Sequence, residues 1–186
     1  MTPSVEIYDT TLRDGTQAEN FNLSAEDKIR ITFALDELGI DCIEGGWPGA
    51  NPKSADYFNL IKGKTLRHAR IAAFGATRHI RHKPHKDPNL QALIAAETPI
   101  ITIFGKSWPI HVTDALQITL AENLGIIEDT LSYLKEYADR LIYDAEHFFD
   151  GFKHDQEYAL TTLEHAVRGG ATTIVLCDTN GGTLPP

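Results

Sequence analysis

The chain has 186 residues, with 17 Lys plus Arg against 26 Asp plus Glu, so its formal net charge is −9 at pH 7. That acidity argues against nucleic acid as the main partner, because phosphate backbones are bound through excess positive charge. A composition of 42% hydrophobic and 23% charged residues excludes global disorder and predicts one folded domain or a piece of a larger one. No apolar run is long enough to span a membrane, and Met1-Thr2-Pro3-Ser4 does not begin a signal peptide, so a cytoplasmic protein is expected. Cys42 and Cys177 lie in apolar, strand-like runs and read as buried free thiols.

The first apolar run predicts a strand over Val5–Tyr8. Ser24 then caps a helix whose apolar stripe is Ile29, Phe33 and Leu38, stopped by Gly39. A second strand is expected over Asp41–Glu44, followed by a helix carrying Tyr57, Phe58 and Ile61. A third, over Ile71–Phe74, precedes a helix with Leu90, Leu93 and Ile94. The fourth strand, Ile100–Phe104, leads into one long helical pattern from Thr113 to Ala138, with Gly125 as an interruption. A fifth strand at Leu141–Tyr143, a helix from about Asp155 to Arg168, and a sixth strand at Thr173–Cys177 complete the pattern.

Strand–helix alternation without a hairpin signal predicts parallel strands joined by helical crossovers. A doubly wound sheet and a (β/α)8 barrel both fit that alternation. The segment after the first strand, Asp9-Thr10-Thr11-Leu12-Arg13-Asp14-Gly15-Thr16-Gln17, is not the Gly-rich fingerprint of a dinucleotide-binding sheet. Polar residues instead crowd the C-terminal strand ends, where a barrel carries its active site. The reading preferred is an incomplete (β/α)8 TIM barrel with about six of its eight βα units, since a complete barrel takes about 250 residues. Residues 1–186 are accordingly read as one catalytic barrel domain cut before its seventh strand.

Arg13 and Asp14 present a guanidinium and a carboxylate from one turn. A carboxylate can hold a hard cation, and an arginine beside it can stabilise an oxyanion. A surface ion pair would carry the same two residues. Further motifs follow the later strands: Glu44-Gly45-Gly46-Trp47-Pro48-Gly49, Phe104-Gly105-Lys106-Ser107-Trp108 with His111, Asp144-Ala145-Glu146-His147-Phe148-Phe149-Asp150-Gly151, and Cys177-Asp178-Thr179-Asn180-Gly181-Gly182.

Together these motifs resemble the metal-dependent Claisen-condensing barrel enzymes, the 2-isopropylmalate, homocitrate and citramalate synthases, with hydroxymethylglutaryl-CoA lyase as a relative. The Gly-Gly-Trp-Pro, Asp-Ala-Glu-His-Phe-Phe-Asp-Gly and Asp-Thr-Asn-Gly-Gly versions are similar to the citramalate branch. The resemblance implies an acyltransferase. Acetyl-CoA, the co-substrate, is deprotonated at its methyl group, the enolate attacks a 2-oxo acid, pyruvate in this branch, and thioester hydrolysis releases CoA. The product, citramalate, leads to isoleucine and branched-chain amino acids. It also implies small-molecule partners, a homodimer, and a divalent metal ion (Mn2+, Mg2+ or Zn2+) with Asp14 as ligand. Arg13 matches the arginine that stabilises the enolate or carbonyl, and Glu146 a glutamate with an orienting or proton-transfer role. Thr179 matches a threonine that binds the keto-acid carboxylate, while Gln17, His111 and Asp144 fall at substrate-binding positions.

Simpler readings stand beside these. Glu146 can be a helix-start carboxylate, Thr179 a turn hydroxyl, and Glu44 a brace for Arg13. The basic tract Arg78-His79-Ile80-Arg81-His82-Lys83-Pro84-His85-Lys86 reads as a solvated loop, with a contact to CoA phosphates as the functional alternative. Phe148 and Phe149 read as core. The family completes its metal site with a His-x-His pair, and no two of the eight histidines here are separated by a single residue. A truncated chain explains that gap, and a fragment with only a folding or assembly role is the competing reading. A 2-isopropylmalate or homocitrate synthase using a different 2-oxo acid is the alternative within the family.

Overall fold

The computed structural model describes residues 5–184. Six parallel strands form one sheet: β1 (Tyr8–Asp9), β2 (Cys42–Gly46), β3 (Arg70–Ala76), β4 (Ile100–Lys106), β5 (Arg140–Glu146) and β6 (Thr173–Leu176). Their spatial order is their sequence order, β1 through β6. A doubly wound sheet would reverse at a switch point. This sheet has none, and it winds in one direction only.

Side chains on the inner face show that the sheet curls. The Tyr8 hydroxyl of β1 lies 2.7 Å from Thr102 Oγ1 of β4. In a flat sheet three strand spacings would hold them roughly 14 Å apart. Arg140 of β5 likewise reaches back across the interior to the Glu6 carboxylate, at 2.6 and 2.7 Å. The fold is an incomplete (β/α)8 barrel.

Alternation along the strands separates two cores. Ile43, Ile71, Ala73, Ile101, Ile103, Leu141, Tyr143 and Ala145 point outward into the main core beneath the helices. Cys42, Ala72, Ile100 and Ile142 point inward and form a smaller apolar layer with Tyr8 and Val175. Both faces of the sheet are therefore buried, as strands of near-continuous apolar sequence require.

The helices are α1 (Ala25–Leu38), α2 (Pro52–Ile61), α3 (Pro88–Ala95), α4 (Leu120–Leu134), α5 (Phe148–His154) and α6 (Gln156–Gly169). Ser24, Asn51, Asp87, Thr119 and Asp155 each cap one by accepting a backbone N–H of its first turn. Gly39 takes φ 89° to end α1 in the left-handed conformation.

Several expected boundaries shift for visible reasons. The first strand is Tyr8–Asp9 rather than Val5–Tyr8, with Val5 and Ile7 exposed. The pattern read as one helix from Thr113 to Ala138 is broken before Leu120. Residues His111–Leu116 form a separate wide turn, and Gln117 at φ 55° ends it before the Thr119–Glu122 capping box starts α4. Gly125 does not interrupt α4. The short α5 was not anticipated. The stripe of Ile29, Phe33 and Leu38 is not the buried face of α1, since Leu38 is 75% exposed. That face is Ala25, Lys28, Thr32 and Asp36. Each polar group on it is satisfied: Lys28 Nζ donates to the carbonyls of Leu12 and Gly45, Thr32 meets the Tyr57 hydroxyl, and Asp36 accepts from the N–H groups of Arg67, His68 and Ala69. Phe148 is buried against Phe149 and Phe152, as core.

Gly151 lets α5 lie directly on the chain after β4: a Cβ there would sit 2.4 Å from the Ser107 carbonyl oxygen. Gly125 has nothing within 4 Å of its Cβ position. Gly151→Ala is therefore expected to cost about 1–3 kcal/mol through backbone displacement. Gly125→Ala should stabilise by about 0.5–1 kcal/mol through helix propensity. Thermal unfolding of the full-length variants should show midpoint shifts of opposite sign. β1 and β6 are the sheet's edges, flanked by exposed Val5, Ile7 and Leu176. Unpaired edges recruit other chains, so the 186-residue chain by itself is expected to self-associate. Sedimentation showing a monodisperse monomer would contradict this.

Candidate functional site

The C-terminal strand ends open onto a cavity of about 1110 Å³, lined by residues of all six strands and of the loops that follow several of them. Six of the expected site residues line it: Arg13, Asp14, Gln17, Asp144, Glu146 and Thr179. Their convergence follows from the pleat. Ile142, Asp144 and Glu146 share one face of β5, as Ile100, Thr102, Phe104 and Lys106 share one face of β4. Along β5 that face runs from Arg140, paired with Glu6 at the base, through Ile142 to Asp144 and Glu146 at the top.

Glu44 organises the first loop. Its side chain is 1% exposed, and Arg13 Nε donates to its Oε1 at 2.5 Å. Tyr8 donates to the other oxygen, also at 2.5 Å. Burial pushes the Glu44 carboxyl up, against the pull of Arg13 and Tyr8 toward ionisation. Burial works against the Arg13 cation, but Glu44 and Asp14 more than offset it and hold the guanidinium firmly protonated. The reading of Glu44 as a brace for Arg13 is thus realised in the structure. Arg13 NH1 also reaches Asp14 Oδ1 at 3.1 Å, and its Cζ sits 3.9 Å from the centre of the Phe74 ring. Phe74 stacks on Phe104, and Trp47 packs edge-on against both. Lys28 holds the loop from below through the Leu12 carbonyl.

On the other wall Glu146 is the last residue of β5, not the start of a helix, and forms an ion pair with Lys106 of β4. Among the described residues Asp144 has no counter-ion within salt-bridge distance, and its buried Oδ1 accepts no hydrogen bond. Burial pushes its carboxyl up, against the pull of the neighbouring Cys177 thiol and of Arg13. That thiol is pushed up to about 12 by burial and by Asp144. Cys177 is only half-buried and lines the cavity, which corrects its reading as a buried core thiol; Cys42 is buried as expected.

His111 does not line the cavity. It packs against Trp108 and edge-on against His147, with its Nδ1 buried and unpartnered. Burial, His147 and Lys106 lower its pKa and favour the neutral ring. Thr179 receives the His147 N–H at 2.9 Å. The basic tract forms a loop with one tight turn at Pro84–Lys86, in which Arg78 pairs with Asp129 and His82 with Asp87. Sequence reasoning quoted Trp47, Phe104 and Lys106 within motifs but gave them no role, and it missed Tyr8, Thr102 and Phe74. Parity along the strands was the available signal for Lys106, Thr102, Phe74 and Phe104, because they share the inward register of their strands.

The acidic groups here do not by themselves fit a divalent ion. Glu44 is engaged by Arg13 and Tyr8, Glu146 by Lys106, and Asp14 shares the guanidinium of Arg13. Among the described residues no three His, Cys, Asp or Glu side chains are grouped to hold a metal. Also among those residues, no helix is long and apolar enough to cross a membrane.

A singly wound parallel barrel with a cavity in its interior and a cluster of ionisable groups at the C-terminal strand ends has the layout of a barrel active site. Residues 4–186 match the HMGL-like family, and the chain belongs to it. It is 58% identical over 185 residues to an (R)-citramalate synthase from Aquifex aeolicus, covering 100% of this chain and 35% of that protein. It is 57% identical to an (R)-citramalate synthase from Geobacter sulfurreducens, covering 97% of this chain and 34% of that protein. The chain therefore spans about a third of the length of these curated relatives. Among solved structures, a Bacillus subtilis HMG-CoA lyase superposes with a TM-score of 0.76 at 19% identity, covering 96% of this chain and 59% of that one.

Because Asp14 is 61% exposed and shared with Arg13, the 186-residue chain is expected to bind Mn2+, Mg2+ or Zn2+ only weakly. Titration calorimetry with the chain and with Asp14→Asn checks this. Micromolar affinity that the substitution abolishes would reveal a competent site.

Proposed function

We propose that the full-length protein is an acyltransferase that condenses acetyl-CoA with pyruvate to give citramalate and CoA. Residues 1–186 would supply the first six strands of its catalytic barrel and the helices that connect them. The observation that carries the reading is Arg13, fixed between Glu44, Asp14 and the Phe74 ring at the mouth of the cavity. A guanidinium held in place before substrate arrives stabilises the oxygen on which charge develops, with no reorganisation at the moment of reaction.

In this reading the thioester oxygen of acetyl-CoA lies against Arg13, which favours its enolate once a methyl proton is removed. Glu146 is the proton-transferring or orienting carboxylate, with Lys106 setting its charge environment. Gln17, Asp144, His111 and Thr179 form or support the acceptor side. A carboxyl at Asp144 pushed toward its protonated form reduces repulsion of an incoming 2-oxo acid anion. Phe74, Phe104 and Trp47 exclude water from one wall. A divalent ion (Mn2+, Mg2+ or Zn2+) bound at Asp14 would polarise the acceptor, and it would take its further ligands from elsewhere in the full-length protein. The proposal includes a cytoplasmic homodimer acting in isoleucine and branched-chain amino-acid biosynthesis.

Turnover assays of the full-length protein with pyruvate, 2-oxoisovalerate and 2-oxoglutarate test the acceptor. Pyruvate is expected to give the highest kcat/KM, and a preference for either of the others would move the protein to another branch. Arg13→Ala should lower kcat by about 10²–10³, the usual cost of one preorganised oxyanion donor. Retention of more than half of the wild-type kcat would remove Arg13 from this role.

A further inference from the structure

His147 stands outside the roles assigned above, yet it joins the two strand ends of the acceptor side. It is not glycine, but its backbone is left-handed, with φ 53° and ψ 35°. Such a conformation costs a residue with a Cβ roughly 1–2 kcal/mol and persists only where its surroundings enforce it. The enforcement is visible. The Phe148 N–H donates to the Cys177 carbonyl at 3.1 Å, and the His147 carbonyl accepts from the Gly151 N–H at 2.9 Å. The imidazole Nδ1 lies 2.9 Å from Asp150 Oδ2, which also accepts from Asn180 Nδ2 at 2.9 Å. The ring packs edge-on against His111, centroids 4.6 Å apart, and beside Trp108.

What the strained backbone achieves is a direction. Its N–H points at Thr179 Oγ1, 2.9 Å away. A hydroxyl oxygen that accepts this bond keeps its own hydrogen for another partner. Thr179 lines the cavity, so that hydrogen is available to an acceptor oxygen there. The same N–H opposes the reverse arrangement, in which the hydroxyl would turn its hydrogen toward β5.

We infer that His147 is a positioning residue, whose left-handed backbone sets the Thr179 hydroxyl as a hydrogen-bond donor to the carboxylate of a 2-oxo acid anion. This rests on the function proposed above. It predicts an order of effects that an imidazole-only role does not. Glycine occupies the left-handed region freely, whereas alanine pays for it and relaxes away.

The test measures pyruvate binding by titration calorimetry on the full-length protein, with steady-state KM values for pyruvate and acetyl-CoA alongside. His147→Ala is expected to weaken pyruvate binding about tenfold, the loss of one donor bond to a charged group. His147→Gly should weaken it several-fold less, and KM for acetyl-CoA should change little in either. In a Thr179→Val background, His147→Ala should add no further loss. Equal losses for Gly and Ala, or additive losses with Thr179→Val, would overturn the inference and assign the effect to the ring. Circular dichroism of His147→Ala identifies a misfolded variant, in which case the Gly variant and its Thr179→Val double decide the question: a Gly loss as large as that of Thr179→Val overturns the inference. Pyruvate binding with this pattern but no condensation would sink the proposed activity and leave the inference standing. No pyruvate binding to the wild-type protein would sink both.

Discussion

A single buried carboxylate, that of Glu44, joins the parts on which the site depends. An isolated charge at 1% exposure would be prohibitively expensive. Arg13 from the loop after β1 and Tyr8 from β1 itself occupy its two oxygens, and Tyr8 in turn meets Thr102 of β4. Three strands and the functional loop are therefore held by one chain of short polar contacts across the interior. Ion pairs of this kind contribute little net stability, because desolvation consumes the Coulombic gain. Breaking one partner is another matter, since a charge is then stranded. The geometry it imposes is what matters here: β1 cannot move away from β4 without uncovering Glu44.

That constraint explains why a strand of only two residues can carry the principal arginine. β1 has little ladder of its own, and its place is fixed by Tyr8, by the Glu6–Arg140 pair and by Asp41, whose carboxylate accepts the Ile7 N–H at 2.7 Å. From this anchored start the chain turns sharply, with Thr10 O accepting from Arg13, Asp14 and Gly15. Arg13 is thus delivered onto the face of Phe74, where a planar guanidinium gains cation–π attraction while keeping its remaining donors toward the cavity.

Much of this was legible in the sequence, and the rest was hidden for physical reasons. Parallel topology followed from alternating strand and helix patterns, and the site from polar residues at strand ends. The buried face of α1 was misread because its contacts are polar: Lys28 and Asp36 are inside only because backbone groups distant in sequence satisfy them, and Thr32 meets the Tyr57 hydroxyl. No apolar periodicity could show that. The break before α4 depends on Gln117 entering the left-handed region, which side-chain pattern does not encode. Arg13, Asp14, Gln17, Asp144, Glu146 and Thr179 were found through motifs and do share one cavity. Lys106 escaped because a lysine after a strand has no distinctive spacing, and its meaning comes from the β4–β5 register that sets it opposite Glu146.

That register also sorts the acids at the cavity mouth by environment rather than by type. Glu44 is enclosed and paired, so its charge is committed to holding Arg13. Glu146 faces an ammonium that can move on a flexible stem, so its engagement is adjustable. Asp144 is partly buried with no cation bonded to it among the described residues, and that burial drives it toward the neutral acid. Asp14 stands largely in solvent, tied only to the outer edge of Arg13. Carboxyls set in such different surroundings take different roles, because environment separates the proton acceptor from the proton holder. Under the function proposed above, a site built this way would remove a proton on one wall and receive an anion on the other without the two walls neutralising each other.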